Sequence, residues 1–106
     1  MPTIEEALQY LGIDYSDEVI EYNVLRALNT AYQLVLGGVG DDVDLYLPDD
    51  PRVTELILIY MEDLYSQRGL SPKVSSATRR LVADMEQQLR LELKQAIEAA
   101  EEETKA

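Results

Sequence analysis

Any acid–base chemistry in this chain falls to carboxylates, Lys and Tyr, because the sequence contains no His and no Cys. The lack of His removes the commonest general base and the commonest transition-metal ligand together. The lack of Cys removes thiolate metal sites and a disulfide framework. Asp42-x-Asp44, next to Asp41, has the opening spacing of a calcium loop. The EF-hand template then asks for a third ligand two residues on, a glycine after it, and a Glu at the last position. Counted from Asp42, those places hold Tyr46, Leu47 and Val53, so the run reads as a solvated acidic loop. Glu62-Asp63 and Glu86 are carboxylates on helical segments. Paired carboxylates can exchange protons, but these lie off the apolar stripes and read as solvated faces. Gly37-Gly38-Val39-Gly40 follows a helix pattern rather than a strand, and Asp41-Asp42 would repel phosphate. It reads as a helix stop and a flexible tip, not a phosphate cradle. No cofactor, metal or catalytic residue is expected, and the chain is not expected to be an enzyme.

Charge gives a second set of candidates. The formal net charge is −12, with eleven acidic residues against Arg26 alone in residues 1–50, and ten against eight basic ones in residues 51–106. Such an excess repels phosphate backbones and disfavours nucleic-acid binding through counterion release. Arg68, Lys73, Arg79 and Arg80 gather around the Leu70–Ser76 turn. They serve either as solubilising and capping charge or as a docking surface for the acidic face of another copy or another protein. Arg79-Arg80 fall in the first turn of a predicted helix, against the dipole preference, which favours an external reason for them.

These residues must be positioned by helices. The pattern predicts four of them and no strand: an all-α fold, a small bundle with one irregular acidic loop and a long last helix. Thr3-Ile4-Glu5-Glu6 is a capping box that opens a short helix ending at Gly12. Its apolar stripe is Ile4, Ala7, Leu8 and Leu11. Ser16 or Asp17 caps a second helix, expected from about Asp17 to Leu36, with Val24, Leu25, Leu28, Ala31, Tyr32, Val35 and Leu36 on its stripe. Gly37-Gly38 is expected to close it. Residues 37–50 are expected to be an irregular loop in which Leu45-Tyr46-Leu47 can be extended.

The third helix carries its own signals. Asp50 is an N-cap, Pro51 fits the first helical position, and Arg68 and Gly69 suit the end. Val53, Leu56, Ile57, Tyr60, Met61, Leu64 and Tyr65 recur at helical spacing, and Leu58 and Ile59 widen that stripe. A helix apolar most of the way round is buried most of the way round. This requires either a central position or a second protein, and both remain open for Leu58 and Ile59. The fourth helix is expected from Ala77 to near Glu101, capped by Ser75 or Ser76, with Leu81, Val82, Met85, Leu89, Leu93, Ile97 and Ala100 on its stripe. Its length of about 35 Å exceeds what a small core needs. Residues 1–106 therefore read as one domain, with 1–93 as body and 94–106 as a projecting arm. No basic leader, apolar leader or bilayer-length apolar run is present, so a soluble, cytosolically made protein with no membrane partner is expected.

Three motifs carry a resemblance. An Ile/Glu-Ala-Leu-x-Tyr-Leu-Gly-Ile opening spans Ile4 to Ile13. An Asp-Pro-Arg-Val start and a Glu-x-x-Tyr-x-x-Arg-Gly end bracket Asp50 to Gly69. A Thr-Arg-Arg-Leu-Val start covers Thr78 to Val82. Over roughly residues 3–90 this layout resembles the head–tail connector, or adaptor, family of tailed bacteriophages, also described as DNA-packaging or head-completion proteins. The chain has Leu64 and Tyr65 where such proteins often carry a larger aromatic residue.

The resemblance implies a non-enzymatic virion part in the neck between capsid and tail. It would form a homo-oligomeric ring, commonly a dodecamer, beneath the portal protein and extend the DNA channel. It would also dock a stopper or tail-completion protein, with DNA only as non-specific cargo. On that basis Arg90, Leu93, Lys94 and Ile97 are portal-docking candidates. Leu58, Ile59, Arg68, Lys73, Arg79 and Arg80 are ring-interface candidates. Asp41, Asp42, Asp44, Leu45 and Tyr46 are channel- or tail-facing candidates. The alternative is a small acidic helical regulator that binds one protein partner through its last helix or the 37–50 loop.

Overall fold

The computed structural model describes residues 1–66 and 76–105, and among these the chain is all-α. The elements are α1 (Ile4–Leu11), α2 (Glu18–Val39), α3 (Val43–Tyr46), α4 (Pro51–Ser66) and α5 (Ser76–Lys105). The local caps form as the residue types dictate. Thr3 Oγ1 accepts from the Glu6 amide at 3.1 Å, and Glu6 reaches back to the Thr3 amide. Gly12, at φ 73°, ends α1. Of the two cap candidates for α2, Asp17 takes the role and accepts from the Ile20 amide at 2.9 Å. Asp50 accepts from the Arg52 amide at 2.9 Å, with Pro51 as the first residue of α4.

α2 and α4 form the principal packing pair. α1 lies against both of them, and α5 rests on α2, α3 and α4. The core between them is aliphatic: Val24, Leu28, Val35, Leu56, Ile57, Met61 and Leu89 are almost wholly removed from solvent. Each such side chain contributes roughly 1.5–3 kcal/mol of transfer free energy. No polar side chain is buried among the described residues. Polar pairs therefore act at the rims of the bundle, where they fix how helices sit rather than drive collapse.

Several expectations change. α2 does not close at Leu36; it runs through Gly37 and Gly38 to Val39 and ends at Gly40. The 37–50 segment is not a wholly irregular loop, because it holds the single turn α3, and Leu45 and Tyr46 are helical rather than extended. Val43 is the reason: its side chain is fully buried, which pulls this turn onto the core. Leu25 and Leu81 were placed on apolar stripes but are 43% and 55% exposed. They sit at the stripe edges, where helical spacing alone does not decide burial.

α5 is one helix of 30 residues, longer than expected, and about 45 Å long. That accounts for most of the 54 Å long axis of the molecule. Leu93 is 4% exposed and belongs to the core, and Ile97 packs against it. The body thus reaches about one turn further along α5 than Leu93, and Glu98, Ala99 and residues 101–104 are the exposed part. The predicted end of α4 at Arg68 and Gly69, the Leu70–Ser76 turn and the Ser75 cap fall on or across residues 67–75, outside the described residues.

Candidate interaction surfaces

The strongest polar feature is a clamp that spacing did not mark. Arg52 sits in the first turn of α4, and its guanidinium forks between two carboxylates. It donates to Asp50 from Nε at 3.1 Å and from Nη2 at 2.8 Å. It also donates to Glu92 of α5 from Nη2 at 2.9 Å and from Nη1. The planar guanidinium suits this paired geometry in a way an ammonium does not. Hydrogen bonds from Arg52 hold the Asp50 and Glu92 carboxyls below their ordinary range. The two carboxylates in turn push Arg52 up, Glu92 most strongly, so it stays charged. Asp50 therefore caps α4 and, through Arg52, fastens α5 to that cap.

A second junction joins α5 to the end of α2. The Tyr60 hydroxyl of α4 donates to the Glu86 carboxylate, and burial, followed by that bond, pushes the phenol up. Glu86 also lies against Gly38, where an added Cβ would stand 2.7 Å from Glu86 Oε2. Arg90 Nη1 donates to the Gly38 carbonyl at 3.0 Å. One turn on, Leu93 covers Gly40, where a Cβ would lie 2.5 Å from Leu93 Cδ2. Gly40 has φ 147° and ψ 142°, a conformation essentially restricted to glycine. The glycine run is thus a docking bed for α5, not a free tip.

The residues proposed from sequence as site candidates are distributed as follows. Of the portal-docking set, Arg90 is exposed but engaged with Gly38, Leu93 is buried, Lys94 is exposed and Ile97 is half-buried. Leu93 is therefore core rather than free surface. Of the ring-interface set, Leu58 is buried within the subunit. Ile59 is half-buried and lines a cleft of about 340 Å³ between α4 and α5, with Val82, Ala83 and Arg79 across from it. Of the two residues that widen the α4 stripe, Leu58 is thus part of the subunit core and Ile59 faces α5 across the cleft. Arg79 and Arg80 are exposed, while Arg68 and Lys73 lie outside the described residues. In the acidic loop, Asp41 and Asp42 are exposed and Leu45 is 73% exposed. Tyr46 packs on the core, and Asp44 accepts from the Tyr32 hydroxyl, which pushes that phenol up. Among the described residues no three His, Cys, Asp or Glu side chains gather as metal ligands would. Nor is any described helix long and apolar enough to cross a membrane.

One surface went unnoticed in the sequence. Val19 and Tyr22 lie one turn apart on α2, on the side turned away from buried Val24, Ala27, Leu28 and Ala31, and are 68% and 65% exposed. Tyr15, just before the helix, is 76% exposed. Asp14, Asp17, Glu18 and Glu21 are their neighbours along the chain, all exposed. A sequence signal did exist, since Val19 and Tyr22 fall off the apolar stripe while sharing one face. No protein-family model matches the chain, no curated protein matches it in sequence, and no solved structure matches it.

Proposed function

We propose that the protein is a structural adaptor of a bacteriophage neck. It assembles with copies of itself into a ring beneath the portal protein, extends the DNA channel and offers a platform to a stopper or tail-completion protein. The observation that carries this reading is the division of the exposed surface. One small helical body bears an acidic, aromatic-bearing surface at the start of α2 and a basic start to α5 at Arg79 and Arg80. Two unlike patches of opposite character suit a heterologous contact, which closes into a ring by rotation. A net charge of −12 suits a channel through which DNA slides without adhering. The exposed last turns of α5 are then free to reach the portal, with exposed Lys94 one turn before them. The motif resemblance over residues 3–90 points the same way.

Electron microscopy of the protein mixed with its portal tests this. A ring seated on the portal is the expected result. A single chain bound to one unrelated protein, with the portal left bare, would favour the regulator instead.

A further inference from the structure

We propose that the outward face of α5 pairs two copies of the chain antiparallel, with Arg80 of one copy against Glu98 of the other and Asp84 against Lys94. The contact is a two-fold one, separate from any ring contact, and does not rest on the adaptor reading.

Arg80, Asp84, Gln87, Leu91, Lys94 and Glu98 follow one another at steps of four and three residues. They therefore form one straight stripe along about 27 Å of α5. The stripe lies opposite the packed side of the helix, which carries buried Val82, Leu89 and Leu93. All six residues are exposed, Leu91 to 55%. Arg80 with Asp84, and Lys94 with Glu98, have the spacing of ion pairs along a helix, but with the base first, which is the weaker order. Neither bond forms: among the described residues the ion pairs are those of Arg52 with Asp50 and Glu92. Four charges thus stand unpaired within the subunit, on a face that no other described helix covers.

The order of charge along this stripe is its own complement. From Arg80 it runs plus, minus, neutral, neutral, plus, minus. Turned end for end about a point between Gln87 and Leu91, it sets Arg80 on Glu98, Asp84 on Lys94 and Gln87 on Leu91, each twice by symmetry. A parallel pair in register sets every charge on its own kind, so charge selects the antiparallel one. The stripe sums to zero in a chain of net charge −12, so two acidic bodies can meet there without acid facing acid. Leu91 lies beside the two-fold axis, where pairing removes its exposed surface from water. Each exposed ion pair adds little alone, so the four together fix direction and register of a weak contact. The pair covers Arg80 and Lys94, which the adaptor reading gives to the ring and the portal; pairing therefore belongs to the free chain.

The test uses Asp84→Lys and Lys94→Glu, both at exposed positions, with circular dichroism to verify the fold. Sedimentation velocity is run over a range of concentrations on the wild type, each variant, their equimolar mixture and the chain carrying both changes. The wild type is expected to interconvert between one chain and two. Each single variant turns two attractions into two like-charge contacts and should pair roughly ten-fold or more weakly. Net charge alone predicts the reverse for Asp84→Lys, which makes the net −12 less negative. The mixture and the double variant restore opposite charges at both contacts and should pair about as well as the wild type. The defects of the single variants should shrink at high salt. A wild type that stays a single chain at every concentration overturns the pairing. So do single variants that pair like the wild type, and a mixture that stays unpaired when the wild type pairs. Each of these results leaves the adaptor reading standing, because that reading is tested on the portal.

Discussion

Replacing the glycines at the end of α2 with Ala, one at a time, separates a helix that passes through them from one that stops before them. Gly37 lies within α2, and nothing stands within 4 Å of where its Cβ would be. Ala is the better helix former there, so Gly37→Ala should stabilise by about 0.5–1 kcal/mol. Gly38 stands to gain the same, but its new Cβ would lie 2.7 Å from Glu86 Oε2. Glu86 must swing aside and release Tyr60, a loss of about 1–2 kcal/mol. The net change for Gly38→Ala should fall between zero and about 1.5 kcal/mol of destabilisation.

Gly40→Ala meets two costs. Its φ of 147° is strained for any side chain, and Leu93 Cδ2, buried and 2.5 Å away, must be displaced. The strain costs ~1–3 kcal/mol, and the forced repacking a similar ~1–3 kcal/mol. At roughly 4–8 °C per kcal/mol for a domain of this size, the melting temperature should fall by about 10 °C or more. Thermal and urea unfolding followed by circular dichroism should rank the variants Gly37→Ala above wild type, Gly38→Ala at or just below it, and Gly40→Ala far below. Adding Leu93→Ala to Gly40→Ala should cost less than the sum of the two, with a coupling of about 1 kcal/mol, because the shorter side chain removes the clash. If Gly37→Ala proves as damaging as Gly40→Ala, the helix stops at Leu36 and α5 does not dock on this bed.

Two further outcomes follow from the packing. Leu93→Ala should destabilise by ~2–5 kcal/mol, since it opens a cavity in the core. Leu91→Ala, at a residue 55% exposed, should change stability by no more than about 0.5 kcal/mol; equal effects would mean α5 is turned differently on the bundle. Arg52→Gln removes the clamp on Asp50 and Glu92, whose carboxyls are held low by Arg52. A depressed carboxyl stabilises the fold above its unfolded value near ~4 and loses that contribution as pH falls through the folded value. The stability gap between wild type and Arg52→Gln should therefore be largest at neutral pH and narrow in acid; a gap that is constant with pH would show that the clamp contributes by packing alone.

Much of the fold was legible because its signals are local. Thr3 with Glu6, Asp17, and Asp50-Pro51 each act within one turn of their own position, so their roles survive without knowledge of the rest of the chain. The breadth of the α4 stripe was also legible, and buried Leu58 together with half-buried Ile59 beside α5 supplies its cause. What escaped depends on distant partners. Glycine marks both helix ends and close approaches, and only the arrival of Glu86 and Leu93 distinguishes the two at Gly38 and Gly40. Arg52 and Glu92 are forty residues apart, and no periodicity links a first-turn arginine to a glutamate on another helix. Leu25 and Leu81 were misplaced because spacing defines the centre of a stripe better than its edge. Val19 and Tyr22 drew no notice because single exposed apolar residues are ordinary, and only their shared outward face on α2 pairs them.

Self-assembly on a portal is the central claim, and imaging the wild-type protein with the portal protein of the same phage tests it most directly. The expected image is a closed ring of copies seated on the portal, coaxial with its channel. A portal that stays bare, beside a protein that remains a single chain, would contradict the claim.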